Sequence, residues 1–156
     1  MLASQNGHNN LVQALLAKGA DVNAKTSDPG TTALIQASWN GHLDVVQTLL
    51  ARGANVNVKS NNGATALIMA SLNGYNEVVQ ALLAKGADVN AKTIDVGETA
   101  LIASSEGGHR EVAQMLLAKR ADVNAKMKDG TTALMAATKG GHADVRDLLL
   151  QGGAKP

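Results

Sequence analysis

Four histidines, His8, His42, His109 and His142, each follow a glycine, and His42 stands two residues before Asp44. Imidazoles and carboxylates so placed are the raw material of a metal centre, a general base or two parts of a catalytic triad. The spacing argues against all three. Gly7-His8, Gly41-His42, Gly74-Tyr75, Gly108-His109 and Gly141-His142 recur at intervals of 34, 33, 34 and 33 residues. Histidines at one register of such a repeat stand about 8–10 Å apart, the spacing of packed helices, whereas zinc needs ligands within about 2 Å. No serine recurs with His42 and Asp44 in a nucleophile elbow, and Tyr75 and Glu77 take their places one unit later. Gly63-Ala64-Thr65 and its relatives offer no Walker-type phosphate cradle. The histidines are therefore expected to cap or pack helices, and these residues imply no metal, cofactor or catalytic group.

The chain that must position them has 156 residues, enough for one domain with a sizeable core or a short array of repeats. Hydrophobic residues make up 45% of it but aromatics only 1%, so a core of Ala, Leu, Val, Ile and Met is expected, which suits closely packed helices. Basic and acidic side chains number 14 and 13, without the basic excess of a nucleic-acid binder. MLASQNGHNN, at the amino terminus, lacks a basic stretch followed by an apolar one, and no apolar run approaches the length of a membrane span, so no membrane partner is expected. With no cysteine there is neither a disulfide framework nor a thiolate; this fits a reducing compartment, and a cytoplasmic location is expected.

The Gly-His anchor lies inside a longer recurring phrase. GTTALIQAS, GATALIMAS, GETALIASS and GTTALMAAT precede it, and VVQTLLARGANVN, VVQALLAKGADVN and VAQMLLAKRADVN follow it. Self-similarity at this period signals a solenoid. Within one unit, Leu34, Ile35 and Ala37 read as a short apolar helix, Asn40-Gly41 breaks it, and Val45, Val46, Leu49 and Leu50 restart a helical pattern. Gly53 takes the left-handed position that ends this second helix, and Asp44 lies in its first turn, where a negative charge favours the macrodipole. The polar ANVNVKSNNGAT stretch is too short for another helix and predicts a projecting hairpin-like loop. One helix pair cannot bury its apolar face alone, whereas a stack of pairs can.

These phrases resemble the ankyrin repeat, whose pattern runs roughly G-x-T-P-L-H-x-A, Gly-His, a Val-Val-x-x-Leu-Leu helix and Gly-Ala-Asp-Val-Asn, over essentially the entire chain. The resemblance implies an all-α fold: one ankyrin-repeat solenoid over residues 1–156, built of stacked helix-turn-helix units joined by β-hairpin-like loops. The units fall at approximately 1–26 (truncated), 27–59, 60–93, 94–126 and 127–156, the last a C-terminal cap. Ala33, Ala66, Ala100 and Ala133 replace the family's proline, and Ile35, Ile68, Ile102 and Met135 its histidine, so apolar packing is expected there. Asp21 to Gly30 and Asp88 to Gly97 each span one residue more than Asn55 to Gly63 and Asp122 to Gly130, so the tips SDPG and IDVG should differ in shape from SNNG and MKDG. Arg120 stands where other units have Gly19, Gly53 and Gly86. Arg146 replaces Val46, Val79 and Ala113, as suits a face with no further neighbour, whereas Leu11, Val12, Leu15 and Leu16 look internal. Weak homodimerisation through that uncapped N-terminal repeat is the expectation.

Lys25, Lys59, Lys92 and Lys126 form a ladder, but Asp21, Asp88 and Asp122 lie nearby, so a solvated, charge-balanced face is expected rather than a phosphate-binding one. Trp39 occupies a slot before the Gly-His whose other occupants are Gln5, Leu72, Glu106 and Lys139, and such variation argues against a core position. In ankyrin proteins this end of the first helix and the loop tips line the concave surface that grips partners. The resemblance thus implies an exposed Trp39-Leu72 pair as a binding hot spot, with Glu106 and Lys139 continuing the row and Asp28, Asn61, Asn62, Ile94, Asp95, Met127 and Lys128 as its rim. A competing reading buries Trp39 partly against Tyr75 or a neighbouring loop. The function implied is a non-catalytic protein-protein interaction module with a protein partner whose identity the fold does not specify. Alternatives are a regulatory or targeting fragment of a larger multidomain protein and an engineered ankyrin scaffold; irregularities such as Arg120 and Ser104 weigh against the second.

Overall fold

The computed structural model describes residues 1–155, which form five consecutive helix pairs. These are α1 (Leu2–Gln5) with α2 (Asn9–Ala17), α3 (Ala33–Trp39) with α4 (Leu43–Ala51), α5 (Ala66–Leu72) with α6 (Asn76–Ala84), α7 (Ala100–Glu106) with α8 (Arg110–Ala118), and α9 (Ala133–Gly140) with α10 (Ala143–Gln151). The first helices of the pairs stack in one row and the second helices in another. Between the rows run the buried Leu34, Leu49, Leu67, Leu82, Leu101, Leu116 and Leu149, and the isoleucines Ile35, Ile68 and Ile102 fill the histidine's place as expected. Each such side chain contributes about 1.5–3 kcal/mol of burial that an isolated pair would leave in water.

Local sequence sets where each helix starts and stops. Thr32, Thr65, Thr99 and Thr132 are extended, and each Oγ1 accepts the N–H of the residue three further on, at 3.3, 3.3, 3.2 and 3.2 Å. This threonine cap satisfies an orphan donor at the helix start without the family's proline. At the far end of α4, Gly53 is left-handed at φ 83°, and Ala54 N–H donates to Leu49 O at 2.9 Å. Arg120 closes α8 the same way: its φ is 64°, and Ala121 N–H donates to Leu116 O at 3.0 Å. An arginine has thus been forced into the backbone conformation that the repeat reserves for glycine.

The connecting loops are hairpin-like, and their two lengths close differently. In the longer ones, Thr26 and Thr93 pair with Thr31 and Glu98, and the threonine Oγ1 accepts the partner's N–H at 3.0 and 2.9 Å. In the shorter ones, Ser60 pairs with Ala64 and Met127 with Thr131, and a carboxyl or amide oxygen, of Asn62 or Asp129, takes over that acceptor role at 3.3 and 2.9 Å. Successive tips are joined through backbone: Asn61 N–H to Pro29 O at 2.9 Å, Ile94 N–H to Asn62 O at 2.7 Å, and Lys128 N–H to Val96 O at 2.9 Å. Lys25 and Lys92 donate to the carbonyls of Lys59 and Lys126 one unit on, so half of the lysine ladder serves the stack.

Side chains from one unit also hold the backbone of the next. Asn23, Asn57, Asn90 and Asn124 each accept, through Oδ1, the N–H of the residue 31 or 32 positions later, at 2.8, 2.8, 2.8 and 2.9 Å. The ends of the stack differ from its middle. Leu2, Leu11 and Leu15 are 75%, 50% and 44% exposed. At the other end Arg146 pairs with Asp147 at 2.7 Å, as a cap requires, yet Met135 and Leu150 stay 54% and 45% exposed, so that face is polar only in part.

A Cβ placed on Gly19, Gly53 or Gly86 would meet no atom within 4 Å, so the cost of a side chain at this register is confined to the left-handed backbone, about 1 kcal/mol. Arg120→Gly is therefore expected to raise the Tm by roughly 2–4 °C in a circular-dichroism melt; an unchanged or lower Tm would show that Arg120 carries no such strain.

Candidate functional site

Gln5, Trp39, Leu72 and Glu106 end the helices α1, α3, α5 and α7, and Lys139 stands one residue before the end of α9. A helix's last carbonyls lack intrahelical partners, and here the next unit supplies a donor. His42, His109 and His142 place Nε2 at 2.8, 3.0 and 2.9 Å from the carbonyl oxygens of Gln5, Leu72 and Glu106. A carbonyl only accepts, so Nε2 carries the proton in each. The histidines are thus joints between units, and their Nε2 atoms are engaged by backbone rather than turned to a substrate. Where Tyr75 replaces histidine, Asn73 Nδ2 reaches Trp39 O instead, at 3.3 Å.

The same rings lie against the preceding glycines. A Cβ on Gly7 would stand 2.7 Å from Nδ1 of His42, and one on Gly41 would stand 2.6 Å from Cε1 of Tyr75. Both glycines are also left-handed, at φ 72° and 73°. The Gly-His spacing that opened the question of chemistry is the spacing of these contacts.

With their backbone held, the slot side chains are left to vary. Trp39 is 44% exposed, Leu72 is partly buried, and Glu106 and Lys139 are exposed. The Asn73 bridge brings the ends of α3 and α5 together, which places Trp39 and Leu72 on adjacent helix ends, although Leu72 is less open than an exposed pair requires. Gln36 and Met69 lie three residues earlier on those helices, partly exposed on the same face. Their register also varies, with Ala103 and Ala136 in the next two units, which is the signal the sequence held for them.

Along the tips, Asp28, Asn61, Asn62, Ile94, Asp95 and Lys128 are exposed, whereas Met127 is partly buried against the core. Val96, 43% exposed beside Ile94 at 62%, extends the apolar tip that the sequence pattern marked only at Ile94. Asn62 is committed to its own turn, where Oδ1 accepts from Ser60 Oγ at 2.6 Å. Near the last unit, Glu106, Met127, Asp129, Thr131, Met135 and Lys139 line a groove of about 580 Å³, so hairpin and helix ends share one surface there.

Electrostatics along this surface are uneven. Burial, then the nearby Glu106 and Asp95 carboxylates, push the half-buried Glu98 carboxyl above its ordinary value. Asp95 and Asp129 are held below theirs, chiefly by the backbone N–H groups of Val96 and Thr131. Among the described residues the one ion pair is Arg146–Asp147, so Glu98 has no cation partner within 4.0 Å.

Helix pairs joined by hairpin-like loops, with a recurring joint and a variable face, define a repeat solenoid. The chain belongs to the ankyrin repeat family: the family model for ankyrin repeats, three copies long, matches residues 1–93 and again 92–156. No match is found among curated proteins. Ankyrin repeats are in general protein-protein interaction modules, and the fold is typically non-catalytic. Among the described residues no helix is long and apolar enough to cross a membrane.

Because folding raises the Glu98 carboxyl above its unfolded value, ionising it in the fold costs stability. That cost is absent at low pH, where both states are protonated, and appears as pH rises through the ordinary value of 4.5 and then the raised one. Glu98→Gln is expected to raise the Tm at pH 7, with the gain closing as pH falls well below 4.5; a gain that persists at low pH would assign it to packing instead.

Proposed function

We propose that this chain is a non-catalytic protein-binding module, cytoplasmic and without a cofactor, that presents the row of first-helix ends and loop tips as a rigid concave surface to a protein partner. The half-exposed Trp39 beside Met69 and Leu72 carries the reading. An aromatic held on a backbone that the next unit braces loses little entropy on binding and offers a large area to desolvate. The residues meant to meet the partner are Trp39 and Leu72, with Glu106 and Lys139 continuing the row and Asp28, Asn61, Asn62, Ile94, Asp95, Met127 and Lys128 forming the rim. The chain's neutral balance of charge disfavours nucleic acid as the partner.

A second surface supports weak self-association. Leu15, with Val12, Leu16, Val22 and Leu49, lines a depression of about 230 Å³, and Leu2 and Leu11 are exposed on the same first helix pair. Leu11 and Leu15 stand at the register of Val45 and Leu49, which are 0% and 1% exposed where another unit covers them.

Two measurements separate these roles. Capture of a partner by the wild type and its loss with Trp39→Ala/Leu72→Ala, both equally folded by circular dichroism, is expected, with affinity reduced at least about 30-fold if the pair is a hot spot; equal capture by both would place the binding face elsewhere. Light scattering is expected to show mass rising with protein concentration, a rise that Leu11→Gln/Leu15→Gln abolishes; a monomer mass at all concentrations would refute self-association.

A further inference from the structure

Resting on the reading of this face as a protein-binding surface, we propose that it selects an extended segment with one large apolar side chain for Trp39, Met69 and Leu72 and a lysine or arginine for the groove between Met127 and Met135. The groove's shape and its charge both favour that occupant. Two thioether side chains and the Thr131 region form walls that suit a long aliphatic stem, while Glu106 and Asp129 offer carboxylates to its cationic head. Lys139 is the lining's one cation, and Glu98 and Asp95 add negative charge beside Glu106. Lys128 lies near Asp95 and Lys139 near Asp129, so the uncompensated negative charge left for the partner is that of Glu106 and Glu98. An acidic segment would meet net repulsion there, and a wholly apolar one would strip water from carboxylates without replacing it. A cation does neither, and it also relieves the mutual repulsion around Glu98.

The distance between the two subsites follows from the stack. Units step by about 10 Å, the spacing of packed helices, and an extended chain advances about 3.3 Å per residue, so a segment running along the face passes roughly three residues per unit. Leu72 belongs to the third pair and the groove to the fourth and fifth, with Trp39 one pair further away. The basic residue is thus expected roughly four to seven residues from the apolar anchor.

Random dodecapeptides displayed on phage, panned against immobilised wild type, Glu106→Gln/Asp129→Asn and Trp39→Ala/Leu72→Ala, test this directly. Both acidic residues are exposed, and an asparagine at 129 keeps the Oδ1 acceptor for Thr131 N–H, so the fold survives the change. Wild type is expected to enrich peptides with Lys or Arg at the stated distance from an aromatic or aliphatic residue. The acidic double variant should keep the apolar preference and lose the basic one. For a synthetic enriched peptide, replacing its basic residue with norleucine should weaken binding to wild type about tenfold and leave binding to Glu106→Gln/Asp129→Asn unchanged. Enrichment without a basic preference, or the same basic preference on both proteins, overturns this inference while leaving the surface in place. Recovery that is undiminished on Trp39→Ala/Leu72→Ala, or no enrichment at all, overturns the surface reading and this inference with it.

Discussion

Everything in this molecule depends on the close approach of a ring in one unit to a glycine in the unit before it. His42 rests on Gly7 and donates to the end of α1, and His109 and His142 repeat the contact on Gly74 and Gly108. A ring can come so near only because the glycine lacks a Cβ and because its left-handed φ turns the chain into the next helix. Close approach in turn lets Nε2 reach a carbonyl that the helix could not satisfy itself. One contact therefore fixes the spacing of the units, the angle between the two helices of a pair, and the position of the slot residue. The exception supports the rule: at Gly41 a tyrosine provides the ring, and because its ring supplies no such bond, Asn73 provides the donor to Trp39 O.

A division of labour follows. Backbone and invariant side chains hold the stack through threonine caps, asparagine clamps and tip-to-tip bonds, and none of these needs the slot or tip side chains to be of any particular kind. Trp39, Leu72, Glu106 and Lys139 can then differ without altering the fold. The energetic independence is partial, since a surface used for recognition still carries costs. Glu98 ionises at the expense of folding, and Trp39 keeps in water an area that a core position would bury.

The periodic features were the legible ones. Helix pairs, the left-handed ends, the strained Arg120 and the two loop shapes all followed from residue types at fixed offsets, because caps, turns and glycines act within a few residues. What escaped acts between units. The period tells that His42 recurs, but not that its partner is Gln5 O, 37 residues earlier; nor does it reveal that Asn23 would hold Asn55 N–H. Partial burial was hidden for the same reason: Met127 at a tip packs against the core and Leu72 in the slot is half-buried, which single-unit patterns do not describe. The far end of the stack shows the limit of reading one position alone, since Arg146 suits a cap while Met135 and Leu150, which keep the apolar character of their register, remain open.

The loop lengths give the array a grain coarser than its repeat. Closures spanning Thr26–Thr31, Ser60–Ala64, Thr93–Glu98 and Met127–Thr131 alternate long and short, and every tip-to-tip bond joins a loop of one kind to a loop of the other. The translational unit of the tip surface is thus a doublet of repeats, even though each repeat folds by the same local rules. Inserting a single copy within such an array would place two like loops side by side, a junction for which the molecule has no precedent, whereas inserting a doublet would preserve every edge it already uses.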